Sequence, residues 1–248
     1  MRLKLTIAYN GSDFAGWQSQ SHGKGIQDCL EKALAAIAGR RLILHAAGRT
    51  DTGVHALAQC AHVDVGEVIG KMADPQRWLT ALNALLPPTI RILKITRTSP
   101  AFHARFSAHQ KTYRYLLWHG EVLPPLLYQR AWHLHGPLNL SILQRLTQEI
   151  QGTHDFRGFT AKSGAARENT QRTLHQVKMS KRGNEISISF TGNGFLYHMV
   201  RMLVGAMIRV AQGKMTEQEF LERLQKKKRP KAPFTAPACG LYLMKITY

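Results

Sequence analysis

The chain has 248 residues, enough for one large domain or two small ones and for a real hydrophobic core. Apolar residues make up 44% of it, which excludes wholesale disorder. Its 34 lysines and arginines against 15 acidic residues give a charge of +19, which favours a polyanionic partner because neutralising phosphates releases counterions.

An anionic membrane surface would also attract such a chain. However, the sequence shows no apolar run long enough to span a bilayer, no signal peptide at Met1–Lys4 and no lipidation motif, so nucleic acid is the expected partner. Cys29, Cys60 and Cys239 are odd in number and far apart, with no Cys-x-x-Cys. Neither a disulfide framework nor a zinc knuckle is indicated, and a reduced, cytoplasmic setting is expected.

In chain order, Arg2 to Tyr9 alternates Leu3, Leu5, Ile7 and Tyr9 against Arg2, Lys4 and Thr6, the pattern of a half-buried strand. A loop rich in Gly and Ser leads to a helix over Ile26 to Ala38 that stops at Gly39. Strands are expected over Leu42 to Ala46 and Ala58 to Val65. Pro75 opens a second helix that Pro87-Pro88 ends, and Ile90 to Thr96 alternates again. The order strand-helix-strand-strand-helix-strand is that of a ferredoxin-like split β-α-β half.

The order recurs from about Phe102. Strands are expected at Thr112 to Trp118, Leu174 to Met179 and Ile186 to Phe190, with helices at Leu140 to Ile150 and Phe195 to Ala211. A further helix, Glu217 to Gln225, precedes a last strand, Gly240 to Ile246. The fold class is therefore α+β, with ferredoxin-like (RRM-like) halves over residues 1–101 and 102–248 and a central cleft as the expected place for a site. The basic run Lys226-Lys227-Lys228-Arg229 with Lys231 reads as a solvated loop or a phosphate contact.

Several chemistries lack their motifs. There is no Walker loop, and Gly192-Asn193-Gly194 lacks the third glycine of a dinucleotide fingerprint. There is no His-Glu-x-x-His, no nucleophile elbow, and no third ligand near His133-x-His135, so neither a metal nor another cofactor is expected.

The most unusual stretch is Gly48-Arg49-Thr50-Asp51-Thr52-Gly53-Val54-His55-Ala56, in which Arg49, Asp51 and His55 concentrate charge and proton chemistry within a few residues between two expected strands. It reads either as a turn in which Asp51 bonds its own backbone or as a carboxylate presented for chemistry. The segment resembles the signature of the tRNA pseudouridine synthase A family, whose matching Asp is catalytic. The resemblance continues through Tyr9 to Gln18, Phe102 to Ser107, Lys111 to Tyr115, Gly152 to Phe159, Tyr197 to Gly205 and Gly240 to Leu243. Asn10 departs from it, standing where the family often has Asp.

The resemblance implies that Asp51 is the catalytic residue and that Tyr113 contacts the target base. It also implies that Arg49 helps displace that base, Arg201 pairs with the catalytic Asp and Leu241 packs at the site. The implied enzyme is a homodimer that converts uridine to pseudouridine at positions 38 to 40 of the tRNA anticodon stem-loop.

These residue types suit that reaction, which breaks the C1′–N1 bond, turns the base and rejoins it through C5. An ionised carboxylate can attack C1′ or remove the 2′ proton, and neither route needs redox or energy input. From spacing alone, Arg201 is either a buried cation that demands a partner or part of a solvent stripe with His198 and Gln212. Tyr113 is either a face for an extruded uracil or a core partner of Tyr115. A synthase for another RNA and a non-catalytic RNA-binding module are the competing readings, and no RNP-type aromatic segment supports the second.

Overall fold

A computed structural model describes residues 1–20, 23–66, 70–161, 169–225 and 234–248. The basic run at 226–231 lies outside them. The chain is α+β, as expected, and divides into two compact units: Met1–His109 with Tyr242–Tyr248, and Gln110–Leu241.

In the first unit, β1 (Arg2–Tyr9) buries every second residue, so the alternation read from the sequence becomes the core face of a sheet. Next come α1 (Ile26–Ala38), β2 (Leu44–Ala46), β3 (His55–Asp64), α2 (Pro75–Leu85) and β4 (Ile90–Thr98). The strand order β4-β1-β3, with β2 on the outer edge of β3, is that of a ferredoxin-like half. That outer edge of β3 is shared. Its later residues pair with β2, while His55 and Ala56 pair in parallel with Tyr242 and Leu243, which belong to β10 (Leu241–Thr247).

Both helices of this unit start and stop for local reasons. The Asp28 carboxylate accepts the Gly25 N–H at the start of α1, and Gly39 at φ 69° ends it. Asp74 caps α2 by accepting the Gln76 N–H ahead of Pro75.

The block Phe102–Ser107 packs within this unit through histidines. Buried His62 accepts the Ala104 N–H on Nδ1 at 3.1 Å, and its ring lies 4.7 Å from His103 and 5.0 Å from His45. Burial first, then the charges of His103 and Arg2, push the His62 pKa down to about 4, so this imidazole is held neutral. Nearby, the Tyr248 hydroxyl donates to the Ala104 carbonyl and Lys4 lies over the Tyr248 ring at 3.9 Å.

The second unit runs β5 (Gln110–Trp118), β6 (Trp132–His133), α3 (Leu140–Glu149), β7 (Gly152–Asp155), β8 (Gln171–Arg182), β9 (Glu185–Gly192), α4 (Met199–Ala211) and α5 (Glu217–Gln225). Its sheet order is β5-β9-β8-β7, with β6 parallel to β5. The sequence pattern missed β6 and β7, which are two and four residues long, too short for a period to register.

The pattern also started α4 too early, at Phe195. His198 sits at φ 59°, in the left-handed region, so the helix cannot extend back through it. Arg201 therefore lies in the first turn of α4 rather than in its second.

Candidate active site

The segment from Gly48 to Val54 leaves β2 and returns to β3, and its shape is set by turn chemistry. The Val54 N–H donates to the Asp51 carbonyl at 3.1 Å, with Gly53 at φ 78° in the third position of the turn. A type II turn requires that positive φ, which accounts for Gly53.

The backbone ahead of the turn is fastened by the loop that follows β1. The Trp17 N–H donates to the Thr50 carbonyl at 3.0 Å, and the Tyr9 hydroxyl bonds the buried Thr50 hydroxyl at 2.8 Å. Gln59 ties down the Gly48 carbonyl from β3 at 2.8 Å. Two glycines make this fastening sterically feasible. A Cβ on Gly16, itself at φ +89°, would lie 2.6 Å from the Thr50 carbonyl oxygen, and one on Gly11 would lie 2.0 Å from the Val54 oxygen.

Asp51 is thus held half-buried on a backbone anchored on both sides, next to exposed Arg49. His55 plays a different part from the one its neighbourhood in sequence suggested. It is 3% exposed, stacks on Tyr242 at 4.7 Å, and its Nδ1 accepts the Gly11 N–H at 3.1 Å. That nitrogen is committed to holding the loop, so it is not available as a base. Asn10 accepts from the backbone and hydroxyl of Ser12, a turn role that an Asp would fill equally well.

The other three expected residues belong to the second unit. Tyr113 lies on β5 opposite Phe190 and is 9% exposed, with the Phe195 ring edge-on to it at 4.9 Å. Tyr115, two residues on, is wholly buried and donates its hydroxyl to the Pro237 carbonyl. The two tyrosines therefore differ: Tyr115 is core, whereas Tyr113 sits at the margin of it.

Arg201 is half-buried, as are His198 and Gln212. Its Nε donates to the Ala236 carbonyl at 2.8 Å, and its own carbonyl accepts the Ala236 N–H at 3.1 Å. One turn along the same helix face, Gly205 leaves room for the passing chain, since a Cβ there would lie 2.8 Å from the Phe234 ring and 3.2 Å from the Ala236 nitrogen. Arg201 and Gly205 together seat the segment from Phe234 to Ala236. Leu241, 6% exposed, closes the unit beyond Gly240, which packs directly on the Tyr115 ring.

Asp51 and Arg49 thus share one loop of the first unit, while Tyr113, Arg201 and Leu241 are placed by the second. Sequence reasoning missed the anchoring residues Tyr9, Gly11, Gly16 and Thr50. The available signal was a pair of glycines in the loop between the first strand and the first helix. Among the described residues, no group of three or more His, Cys, Asp or Glu is arranged to hold a metal, and no helix is long and apolar enough to cross a membrane.

Comparison with known proteins extends these observations. The family model described as tRNA pseudouridine synthase matches residues 5–107 and 146–248. The chain is 42% identical to the tRNA pseudouridine synthase A of Akkermansia muciniphila, over all of this chain and 95% of that protein. It is 39% identical to that of Methylobacillus flagellatus, over 100% and 93% of the two chains. Against that of a Thermoanaerobacter species the figure is 38%, over 99% of each.

Proposed function

The chain belongs to the tRNA pseudouridine synthase family, and from that premise we propose that it isomerises uridine to pseudouridine in the anticodon stem-loop of tRNA, with Asp51 as the reacting carboxylate. The observation that supports Asp51 most is its setting: a half-buried carboxylate on a backbone clamped by Trp17, Tyr9 and Gln59. A group that must meet C1′ within a few tenths of an ångström needs such a mount.

In the reaction, the N1–C1′ bond of uridine breaks and a C5–C1′ bond forms. The proton on C5 is lost and N1 gains one, so the product is an isomer and no electrons are exchanged. Asp51 either attacks C1′ as nucleophile or removes the 2′ proton as base. A paired base must first leave its stack, and Arg49, exposed beside Asp51, is suited to occupying the space it vacates.

Tyr113 offers a ring for the extruded uracil, held in orientation by Phe195. We assign Arg201 as the cation that pairs with the Asp51 carboxylate, and Leu241 an apolar contact to the base. The assignment extends to a homodimer working in the cytoplasm, on the resemblance set out above.

The direct test supplies purified protein with a uridine-containing anticodon stem-loop that folds without magnesium, and measures pseudouridine with EDTA present. Product should form with no added cofactor. Loss of product in EDTA and its return with zinc would overturn the mechanism.

For Tyr113, replacement by Phe should preserve stacking and hence tRNA affinity. Tyr113→Ala should weaken stem-loop binding by about 1–3 kcal/mol and slow the reaction. Equal and mild effects of the two substitutions in a binding titration would make Tyr113 a packing residue only.

A further inference from the structure

The second unit contains a cavity that the chemistry above does not use. It measures about 280 Å³, close to the lower end of small-molecule sites, and lies beside the C-terminal end of α4. The rings of Trp132 and Phe234 form one side, with centroids 5.9 Å apart and planes at 36°, and buried Leu134 and Ile208 complete the apolar lining. The guanidinium of Arg209 lies over the Phe234 ring at 5.8 Å. Gln212 ties the rim together, donating to the His135 carbonyl at 2.9 Å and accepting from Lys214 Nζ at 3.0 Å.

The electrostatics are one-sided. Among the described residues no carboxylate lines the cavity, whereas Arg209 and Lys214 both do. A helix C-terminus would ordinarily repel an anion through its unsatisfied carbonyls. Here the carbonyls of Ile208, Arg209, Val210 and Ala211 accept from Gln212, Lys214, Gly213 and Asn139 respectively, at 2.8–2.9 Å. The negative end of α4 is thus hydrogen-bonded and the cations stand in front of it. Arg223 on α5 registers the excess: burial first, then repulsion by Arg209, hold its pKa below the ordinary guanidinium value.

A slot with aromatic rings on one side and two cations on its rim suits a flat ring joined to an anion. We propose that this cavity binds one nucleotide, its base against Trp132 and Phe234 and its phosphate against Arg209 and Lys214. The nucleotide is either an unpaired residue of the RNA substrate or a free nucleoside monophosphate. The proposal is independent of the role of Asp51.

Its test uses full-length protein and three probes, 5′-AMP, adenosine and inorganic phosphate, titrated by calorimetry. The variants are Arg209→Gln/Lys214→Gln, which changes only exposed side chains, and Phe234→Ala. Wild type should bind 5′-AMP more tightly than either adenosine or phosphate, and each variant should weaken it tenfold or more.

If the occupant is part of the RNA, both variants should also raise the Kd and KM for tRNA several-fold while kcat at saturation holds. The double variant should then lower the log-log salt slope by about 0.7–1.4. If the occupant is a free nucleotide, tRNA affinity should not move. The proposal is overturned if 5′-AMP binds no better than phosphate. It is overturned equally if the charge variant weakens tRNA binding and Phe234→Ala changes nothing, which would describe diffuse attraction rather than a site.

Discussion

Asp51→Asn is expected to abolish pseudouridine formation, lowering the rate on an anticodon stem-loop by at least about a thousandfold, a barrier increase of roughly 4 kcal/mol. The amide keeps the shape of the carboxylate but can neither displace at C1′ nor accept the 2′ proton. The turn itself should survive. The bond that closes it runs from the Val54 N–H to the backbone carbonyl of residue 51, and Trp17, Tyr9 and Gln59 hold neighbouring groups that the substitution leaves intact. Thermal unfolding and tRNA affinity should therefore match the parent closely, separating lost chemistry from lost structure. A variant retaining activity within tenfold of wild type would remove Asp51 from the reaction.

Gly16→Ala should produce the second large effect, through geometry alone. Residue 16 is at φ +89°, which an alanine adopts only under strain. Its new Cβ would also stand 2.6 Å from the Thr50 carbonyl oxygen and 3.0 Å from both the Asp51 carbonyl carbon and the Thr52 nitrogen. All three are backbone atoms of the Asp51 loop, so no side-chain rotation can relieve the contact. Either the first loop withdraws and the Trp17–Thr50 bond breaks, or the Asp51 backbone shifts.

We expect a loss of about 2–4 kcal/mol in stability and a fall in rate on the order of a hundredfold, since misplacement near 1 Å is that costly. Gly39→Ala is the matched control. It too has a positive φ, 69°, at the end of α1, but a Cβ there meets nothing within 4 Å. It should cost about 1 kcal/mol and leave turnover unchanged. Equal losses of activity in the two variants would mean that the Gly16 contact does not position the Asp51 loop.

Much of the molecule was legible in residue order because the signals are local. The alternation of Leu3, Leu5, Ile7 and Tyr9 is a property of eight consecutive residues, and the sheet buries those four. Pro75 and Gly39 act through their own φ angles, so the ends of α2 and α1 followed directly. Where a boundary depended on one backbone angle set by distant packing, reading failed. An apolar helical pattern through Phe195–Tyr197 gave no hint that His198 would turn left-handed and delay α4 to Met199.

The site divides along the same line. Sequence by itself determined the inventory: the Arg49-Thr50-Asp51 segment, the tyrosine at 113 and the arginine at 201, and the family, whose model matches residues 5–107 and 146–248. It also determined the charge of +19 and hence the class of partner. Only the tertiary structure decided what holds each of these residues. Gly16 and Trp17 are more than thirty positions from Thr50, and Ala236 is thirty-five from Arg201, yet those pairs fix the Asp51 loop and the first turn of α4. The physical reason is that hydrogen bonds and steric contacts act over about 3 Å of space whatever the separation along the chain, whereas propensity and periodicity act only between near neighbours in sequence. His55 shows the difference: beside Asp51 in the sequence it reads as proton chemistry, and in the fold its Nδ1 is already occupied by the Gly11 N–H.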